Sequence, residues 1–170
     1  MLLLNNNYRK ESCQLKKGFL ILSAALIGSG CFEVSASEYC KSMRQNPLEV
    51  GDVISDIYWS DADSGRANKV CFRVANADAA ETGPIGSFGG AKCEKEREVG
   101  YQSKAYAIER ARGTRMVVTG LHGFDNYDRQ MIDMSSDGLD WVDVGLSAGI
   151  YKRWIFKNGR KTMPKPLYCN

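Results

Sequence analysis

The sequence has few of the residues that build zinc centres. Its 170 residues include a single histidine, His122, and no Cys-x-x-Cys pair, so a zinc site would have too few ligands at useful spacing. Internal repeats and low-complexity tracts are also missing. With 44% hydrophobic and 25% charged residues, the composition argues against a fibre or a disordered chain. We therefore expect one domain with a hydrophobic core.

A long hydrophobic run is missing as well. The main apolar stretch, residues 18–32, spans 15 residues, which is short for a membrane-spanning helix. It follows a polar and basic segment, residues 1–17, and it precedes Val34-Ser35-Ala36, whose small side chains suit a signal peptidase. This order predicts a secretory signal over residues 1–36 that is cleaved after Ala36. We expect an exported protein, periplasmic or secreted, without stable membrane insertion.

Two other fates of the N-terminal segment stay open. Its basic region is unusually long, which is also typical of an uncleaved anchor. A lipid on Cys31 would anchor the chain in another way, although Gly28 stands where a lipid-attachment motif has a branched aliphatic residue.

The sequence carries little excess charge of either sign. The formal net charge is +3, and beyond residue 36 the chain has 19 basic and 18 acidic residues, a net of +1. Bulk charge therefore gives no support for nucleic-acid binding. Positive charge is nevertheless concentrated in residues 151–170, which hold six basic residues and no acidic one, and at Arg110, Arg112 and Arg115. Two solvated faces are the simplest interpretation of these clusters.

Four cysteines remain after removal of the signal: Cys40, Cys71, Cys93 and Cys169. An even number in an exported chain favours two disulfides. Three pairings are possible, and free buried thiols are the alternative. We favour Cys40 with Cys71 and Cys93 with Cys169, since the second bond would tie the C-terminal tail to the body.

The pattern of residues predicts an α+β fold. After a lead-in segment, residues 37–49, the domain covers residues 50–170. The best helix, residues 91–112, lacks proline and has Val99, Ser103, Tyr106 and Ala107 along one side. Further segments are strands at 50–59, 69–74, 115–119 and 130–134, a glycine-rich loop at 82–90 and a helix at 139–149. Short strands around one large helix favour a small OB-fold-like β-barrel of five strands with two to three helices.

Five polar residues supply the chemistry needed to cleave a phosphodiester. Carboxylates hold a hard metal ion, an acid activates water, and guanidinium groups grip a phosphate through two hydrogen bonds. The residues are Asp63, Arg73, Asp78, Glu81 and Arg129. Each residue alone has an ordinary structural interpretation: it could be a turn residue, a cation on a strand, or a charge that keeps a loop soluble. Taken together, the five residues predict a site that cleaves a phosphodiester.

The chain resembles the thermonuclease (staphylococcal nuclease) family over roughly residues 50–169. The resemblance lies in five segments that occur in the family's order and spacing. They are Asp61-Ala-Asp63-Ser64, Arg73 to Glu81, Ala91-Lys-Cys93-Glu, Asp125-Asn-Tyr127-Asp-Arg129 and Val144-Gly-Leu146-Ser-Ala148-Gly149. The cysteine near the C-terminus is a further likeness to exported bacterial members.

The resemblance implies an exported, calcium-dependent nuclease that cleaves DNA and RNA and leaves 3′-phosphate ends. It also implies the role of each residue. Asp63, Asp78 and the backbone carbonyl of Ala79 would bind Ca²⁺, Glu81 would act on the attacking water, Arg73 and Arg129 would hold the scissile phosphate, and Tyr127 would line the nucleotide pocket.

Two positions depart from the family pattern. Ala80 replaces a proline, which would leave Glu81 less preorganised, and Asp128 replaces a glycine beside Arg129. Outside the motif, Tyr151 is our candidate for stacking on a base because it adjoins the basic tail. Trp59, Trp141 and Trp154 are expected in the core or half-buried.

Two other functions are considered beside a monomeric nuclease. One is a non-catalytic OB-fold module that binds single-stranded nucleic acid without cutting it. The other is a disulfide-braced interaction module of the cell envelope, which would leave the coincident spacings unexplained.

Overall fold

The structure, a computed structural model, describes residues 36–42, 44–157 and 160–169. The predicted signal, the uncleaved anchor and the lipid site at Cys31 lie outside the described residues, apart from Ala36. All described residues belong to one unit that spans residues 33–170. None of the helices in the described ranges is long and apolar enough to cross a membrane.

The described residues form three helices and eleven strands, which confirms the α+β class. The helices are α1 (Ala36–Ser42), α2 (Glu94–Ala111) and α3 (Trp141–Ser147). The strands are β1 (Val53–Ile54), β2 (Tyr58–Asp61), β3 (Ser64–Ala67), β4 (Val70–Val74), β5 (Ala77–Asp78), β6 (Met116–Phe124), β7 (Gln130–Ser136), β8 (Leu139–Asp140), β9 (Lys152–Arg153), β10 (Phe156–Lys157) and β11 (Arg160–Lys161).

One mixed sheet contains seven of these strands. Its path runs β1-β6-β7-β4-β3-β2, and β8 pairs with β7 off this path. All neighbours are antiparallel except β4 and β7, which run parallel with Arg73 opposite Met131. A parallel pair needs a long crossover, and α2 and β6 lie in the chain between these two strands. The strands β5 and β9 form a separate antiparallel pair.

The predicted closed barrel of five strands is not confirmed. In the described residues the sheet is open, with β1 and β2 at its two ends. The predicted first strand, residues 50–59, is broken because Asp56 has φ of 49°, which interrupts an extended chain. The fragment β1 is left with two residues, so it offers a short ladder at the sheet edge.

A tight turn fixes the register between β3 and β4. Between β3 and β4, Asn68 and Lys69 both have positive φ, 49° and 62°, and the flanking Ala67 and Val70 are paired. Positive φ at both central residues is the type I′ geometry that two-residue hairpins favour. Because Lys69 belongs to this turn, the strand predicted from residue 69 begins at Val70.

Three of the four buried residues of α2 have small side chains. It begins after the N-cap Cys93, and its buried residues are Glu96, Gly100, Ser103 and Ala107. The predicted face was right at Ser103 and Ala107 but wrong at Tyr106, which is exposed. Small side chains let the helix backbone approach the neighbouring loop closely, which matters for the site.

Aromatic and aliphatic side chains fill the core. The ring of Trp59 lies edge-on to Phe72, at 5.5 Å between centroids, and stacks on Trp141 at 5.7 Å. Ile132 and Met134 from β7 are buried in the same cluster. Trp59 and Trp141 are therefore core residues, as predicted.

A disulfide and a side-chain amide help to attach the lead-in segment to the domain. Cys40 of α1 is bonded to Cys71 of β4. The amide of Gln130 accepts a hydrogen bond from the Leu48 N–H and donates one to the Leu48 carbonyl, both at 2.8 Å. The second disulfide joins Cys93 to Cys169. Both pairings favoured from the sequence are confirmed.

Candidate active site

Arg73 lies at the centre of the candidate site. It follows Phe72 on β4, and its Nη2 atom donates to Asp63 Oδ2 at 2.8 Å and to Asp78 Oδ1 at 3.0 Å. Asp63 lies in the turn between β2 and β3, and Asp78 ends β5. The guanidinium of Arg73 thus joins two carboxylates from different parts of the fold.

The backbone of Ala79 contacts the same group. Its N–H donates to Asp63 Oδ2 at 2.9 Å, so the turn that carries Asp63 lies against the end of β5. The predicted metal-binding set of Asp63, Asp78 and the Ala79 backbone is therefore brought together. Within the described residues, no group of three or more His, Cys, Asp or Glu side chains is arranged to hold a metal.

Asp78 is a buried carboxylate with an unused oxygen. The residue is 0% exposed, and its Oδ2 atom has no hydrogen-bond partner. Burial, followed by repulsion from Asp63, raises the pKa of Asp78 to about 7, although Lys165 and Arg73 oppose the shift. A buried carboxylate oxygen without a donor is costly, so this position is suited to a cation.

Burial lowers the pKa of Arg73, but nearby carboxylates outweigh this effect and raise it above its ordinary value. Those carboxylates belong to Asp63, Asp78, Glu81 and Asp125, in decreasing order of effect. The charge of Arg73 is therefore held by the surrounding acids.

Glu81 is held beside this cluster by two neighbours of its loop. The N–H and hydroxyl of Thr82 donate to Asp61 Oδ1 at 3.1 and 2.6 Å. On the other side, a Cβ placed on Gly100 of α2 would lie 2.5 Å from the Glu81 carbonyl oxygen and 2.8 Å from that of Ala80. Ala80 is fully buried. The loop is therefore packed in place despite the missing proline.

Arg129 is oriented by Asp125. The Asp125 Oδ2 atom accepts from Arg129 Nε at 2.8 Å and Nη2 at 2.6 Å, while Oδ1 accepts from the N–H groups of Tyr127 and Arg129. Arg129 directly precedes β7, in which Met131 is the registered partner of Arg73 on the adjacent β4. Asp125, the partner of Arg129, is also the last of the carboxylates whose charge raises the pKa of Arg73.

Asp128 lies in a turn at a position where the family that the chain resembles has glycine. Its φ is 60°, the left-handed region that glycine adopts without strain. Its carboxylate forms an ion pair with Arg44 at 2.6 Å, while Arg129 pairs with Asp125. The aspartate at position 128 therefore leaves the Arg129 guanidinium in place.

Tyr127 and Phe88 form an exposed aromatic pair beside Arg129. Their ring centroids are 6.1 Å apart, and the Arg129 guanidinium carbon lies 5.3 Å from the Tyr127 centroid. Phe88, from the glycine-rich loop, is 90% exposed. Sequence reasoning missed Phe88, although an aromatic residue in a glycine-rich loop was a signal.

The predicted role of Tyr151 in base stacking is wrong. Tyr151 is 3% exposed, and its hydroxyl donates to the Ala62 carbonyl at 2.6 Å and accepts from Trp141 Nε1 at 2.7 Å. Gly145 of α3 packs directly on its ring, where a Cβ would lie 2.1 Å from Cδ2. Neither ring face is available to a base, and the residue instead supports the turn that carries Asp63.

A segment of the C-terminal tail covers the acidic cluster, which the sequence did not reveal. We call residues 162–169 the C-terminal strap. Lys165 Nζ lies 2.5 Å from Glu81 Oε1 and 3.6 Å from Asp78 Oδ1, and the Tyr168 hydroxyl donates to the Asp78 carbonyl at 2.7 Å. Lys165 was assigned to a solvated basic face. The disulfide of Cys169 was the only sequence signal that the tail returns to the body.

No protein-family model matches the sequence, and a search of curated proteins finds no match either.

Proposed function

We propose that this chain is an exported, calcium-dependent nuclease that hydrolyses phosphodiester bonds of DNA and RNA, as the resemblance to thermonucleases implies. The observation that carries the proposal is the position of the Arg73 guanidinium between Asp63 and Asp78. These residues are separated in the sequence, and they meet together with the backbone of Ala79. Two carboxylates, a backbone segment and a guanidinium at one place supply oxygen ligands for a metal ion together with donors for a phosphate.

The residues fit a calcium ion in one specific respect. Asp78 offers a buried oxygen that no donor satisfies, and carboxylate and carbonyl oxygens are the ligands that Ca²⁺ prefers. Asp63, Asp78 and the Ala79 carbonyl would hold the ion. When bound, it would polarise the scissile phosphate and offset the charge of the transition state.

The other residues would act on the attacking water or on the scissile phosphate. Glu81 would accept a proton from the attacking water, a task helped by burial, which raises its pKa against the opposing effect of Lys165. Arg73 and Arg129 would donate to the phosphate oxygens, where a well-placed donor is worth about 3–4 kcal/mol in the transition state. Both guanidinium groups keep N–H donors that are not bonded to the carboxylates, and these donors can reach a phosphate.

The nucleotide would lie towards Tyr127. Its ring is half-exposed next to Arg129, and with Phe88 it offers two aromatic surfaces to an unpaired base. Tyr151 has no part in this binding, given its burial.

Export and an OB-type barrel belong to the same proposal. The two disulfides support an oxidising compartment, periplasmic or extracellular. The order of β2, β3 and β4, then α2, then the β6-β7 pair is one that an OB-type barrel uses. We further propose that the protein acts as a monomer.

A non-catalytic nucleic-acid-binding module is the second candidate. One observation favours it: Arg73 and Arg129 are both paired with carboxylates, and Lys165 contacts Glu81. Such a module would bind in a salt-sensitive way, and its affinity would survive chelation of calcium and Glu81→Gln.

The test is to measure binding and cleavage of fluorescent single-stranded DNA by the same preparations. The variants are Glu81→Gln and Arg129→Ala, with Arg112→Ala as a control that removes an exposed arginine paired with Glu109. A nuclease loses cleavage in the first two and keeps it in the control. Binding without cleavage in the folded wild type would establish the module instead.

A further inference from the structure

The ammonium group of Lys165 occupies a position where a metal ion would be expected. It contacts Glu81 at 2.5 Å and Asp78 at 3.6 Å, the two carboxylates that flank the candidate metal position on its loop side. Its side chain is 29% exposed, whereas those of Asp78 and Glu81 are 0% and 19% exposed. The lysine therefore reaches from the surface into a largely buried acidic group.

The C-terminal strap holds Lys165 in this place. Tyr168 bonds to the Asp78 carbonyl at 2.7 Å, Trp154 donates from Nε1 to the Met163 carbonyl at 3.1 Å, and Lys152 donates from Nζ to the Leu167 carbonyl at 2.5 Å. The disulfide between Cys93 and Cys169 closes the end of the strap. These bonds hold the backbone on both sides of Lys165, so its side chain starts from a fixed position next to the carboxylates.

A divalent cation bound to Asp78 would lie close to this ammonium. The ammonium and the divalent cation are both positive, and at close range they would repel each other strongly where water is largely excluded. The acids can satisfy the ammonium or a divalent ion well, but they cannot satisfy both in the same position. The Oδ2 atom of Asp78 is buried and has no hydrogen-bond partner, so this oxygen is left for a cation.

We propose that Lys165 is a built-in counter-cation that competes with divalent metal for Asp78 and Glu81 and so sets the metal affinity of the site. The inference rests on the proposed function, in which Asp78 is a ligand of the calcium ion and Glu81 lies beside it. Lys165 is thus a positioning residue whose removal tightens metal binding.

The test measures calcium binding to the full protein by isothermal titration calorimetry. Terbium luminescence gives a second readout, because the Trp154 ring lies 5.9 Å from Lys165 Nζ and can sensitise an ion bound there. The variants are Lys165→Met, Lys165→Gln and the charge-preserving Lys165→Arg. The matched control is Lys152→Met, which removes a cation of the tail that bonds to the Leu167 carbonyl instead of a carboxylate.

The expected result is that Lys165→Met and Lys165→Gln bind Ca²⁺ about tenfold or more tightly than the wild type. Lys165→Arg and Lys152→Met stay near the wild-type affinity. Equal affinities for wild type and both neutral variants would overturn the inference and leave the proposed function standing. An equal gain in Lys152→Met would also overturn it, since a loosened strap would then be the cause. Absence of calcium binding in every variant would overturn both the inference and the calcium-dependent function.

Discussion

The carbonyl oxygen of Glu81 lies so close to Gly100 of α2 that a Cβ on the glycine would stand 2.5 Å from it. This contact joins the largest helix to the loop that carries the proposed base. It explains why position 100 of α2 is glycine, since any side chain there would push the loop away.

Gly100→Ala tests this contact. The added methyl overlaps the Glu81 and Ala80 carbonyls, so we expect the free energy of unfolding to fall by about 1–3 kcal/mol. Displacement of Glu81 by about 1 Å should lower kcat roughly a hundredfold. Chemical denaturation and initial rates of DNA cleavage measure the two effects. The control is Ser103→Ala, on the same buried face, which adds no volume. A Gly100→Ala protein with wild-type kcat would contradict the role of the contact.

Tyr151→Phe tests the corrected role of that residue. Loss of the hydroxyl leaves the Ala62 carbonyl and Trp141 Nε1 without their buried partner, which should cost about 1–3 kcal/mol of stability. Urea denaturation measures this, and Tyr101→Phe, at a half-exposed tyrosine, serves as the control. The assignment to the core fails if stability is unchanged and affinity for single-stranded DNA drops.

The stability of the calcium-free protein should depend on pH between about 4 and about 7. Burial and Asp63 raise the pKa of Asp78 to about 7 from an ordinary value of 3.8, so in this window the folded state binds a proton that the unfolded state has released. Stability is therefore greatest below the lower value and falls as pH rises, by at most about 1.4 kcal/mol per pH unit for one proton.

Denaturation in EGTA at a series of pH values measures this slope. Asp78→Asn cannot titrate at this position and should flatten the curve. An equal slope in the wild type and in Asp78→Asn would show that other groups cause the pH dependence.

Phe88→Ala tests the exposed aromatic pair. Because the ring is 90% exposed and packs near Tyr127 alone among the described aromatic rings, its loss should leave the melting temperature unchanged. Affinity for single-stranded DNA should fall several-fold, as expected for the loss of about 1 kcal/mol or more of stacking. Fluorescence anisotropy gives the dissociation constants, and Ile85→Ala in the same loop is the control. Equal losses in both variants would indicate a general effect of the loop.

The sequence was sufficient for features that depend on local order and spacing. The helix predicted over residues 91–112 is α2, and the favoured cysteine pairs are the observed disulfides. The order and spacing of the motif grouped Arg73 and Asp78 with Asp63, and these side chains are in contact in the structure.

Features that depend on long-range packing could not be predicted from the sequence in the same way. Lys165 lies 84 residues from Glu81 along the chain, and nothing local to either residue indicates their contact. Tyr151 was placed on the surface because its chain neighbours are basic, whereas Gly145 and Trp141 bury it. The predicted first strand is interrupted by the positive φ of Asp56, which a pattern of apolar residues does not predict.

The most direct test of the central claim is the rate at which the purified protein cleaves single-stranded DNA in calcium and in excess EGTA. We expect cleavage with calcium that leaves 3′-phosphate ends and stops on chelation. A folded protein that leaves the DNA intact in calcium, or that cleaves it equally well in EGTA, would contradict the claim.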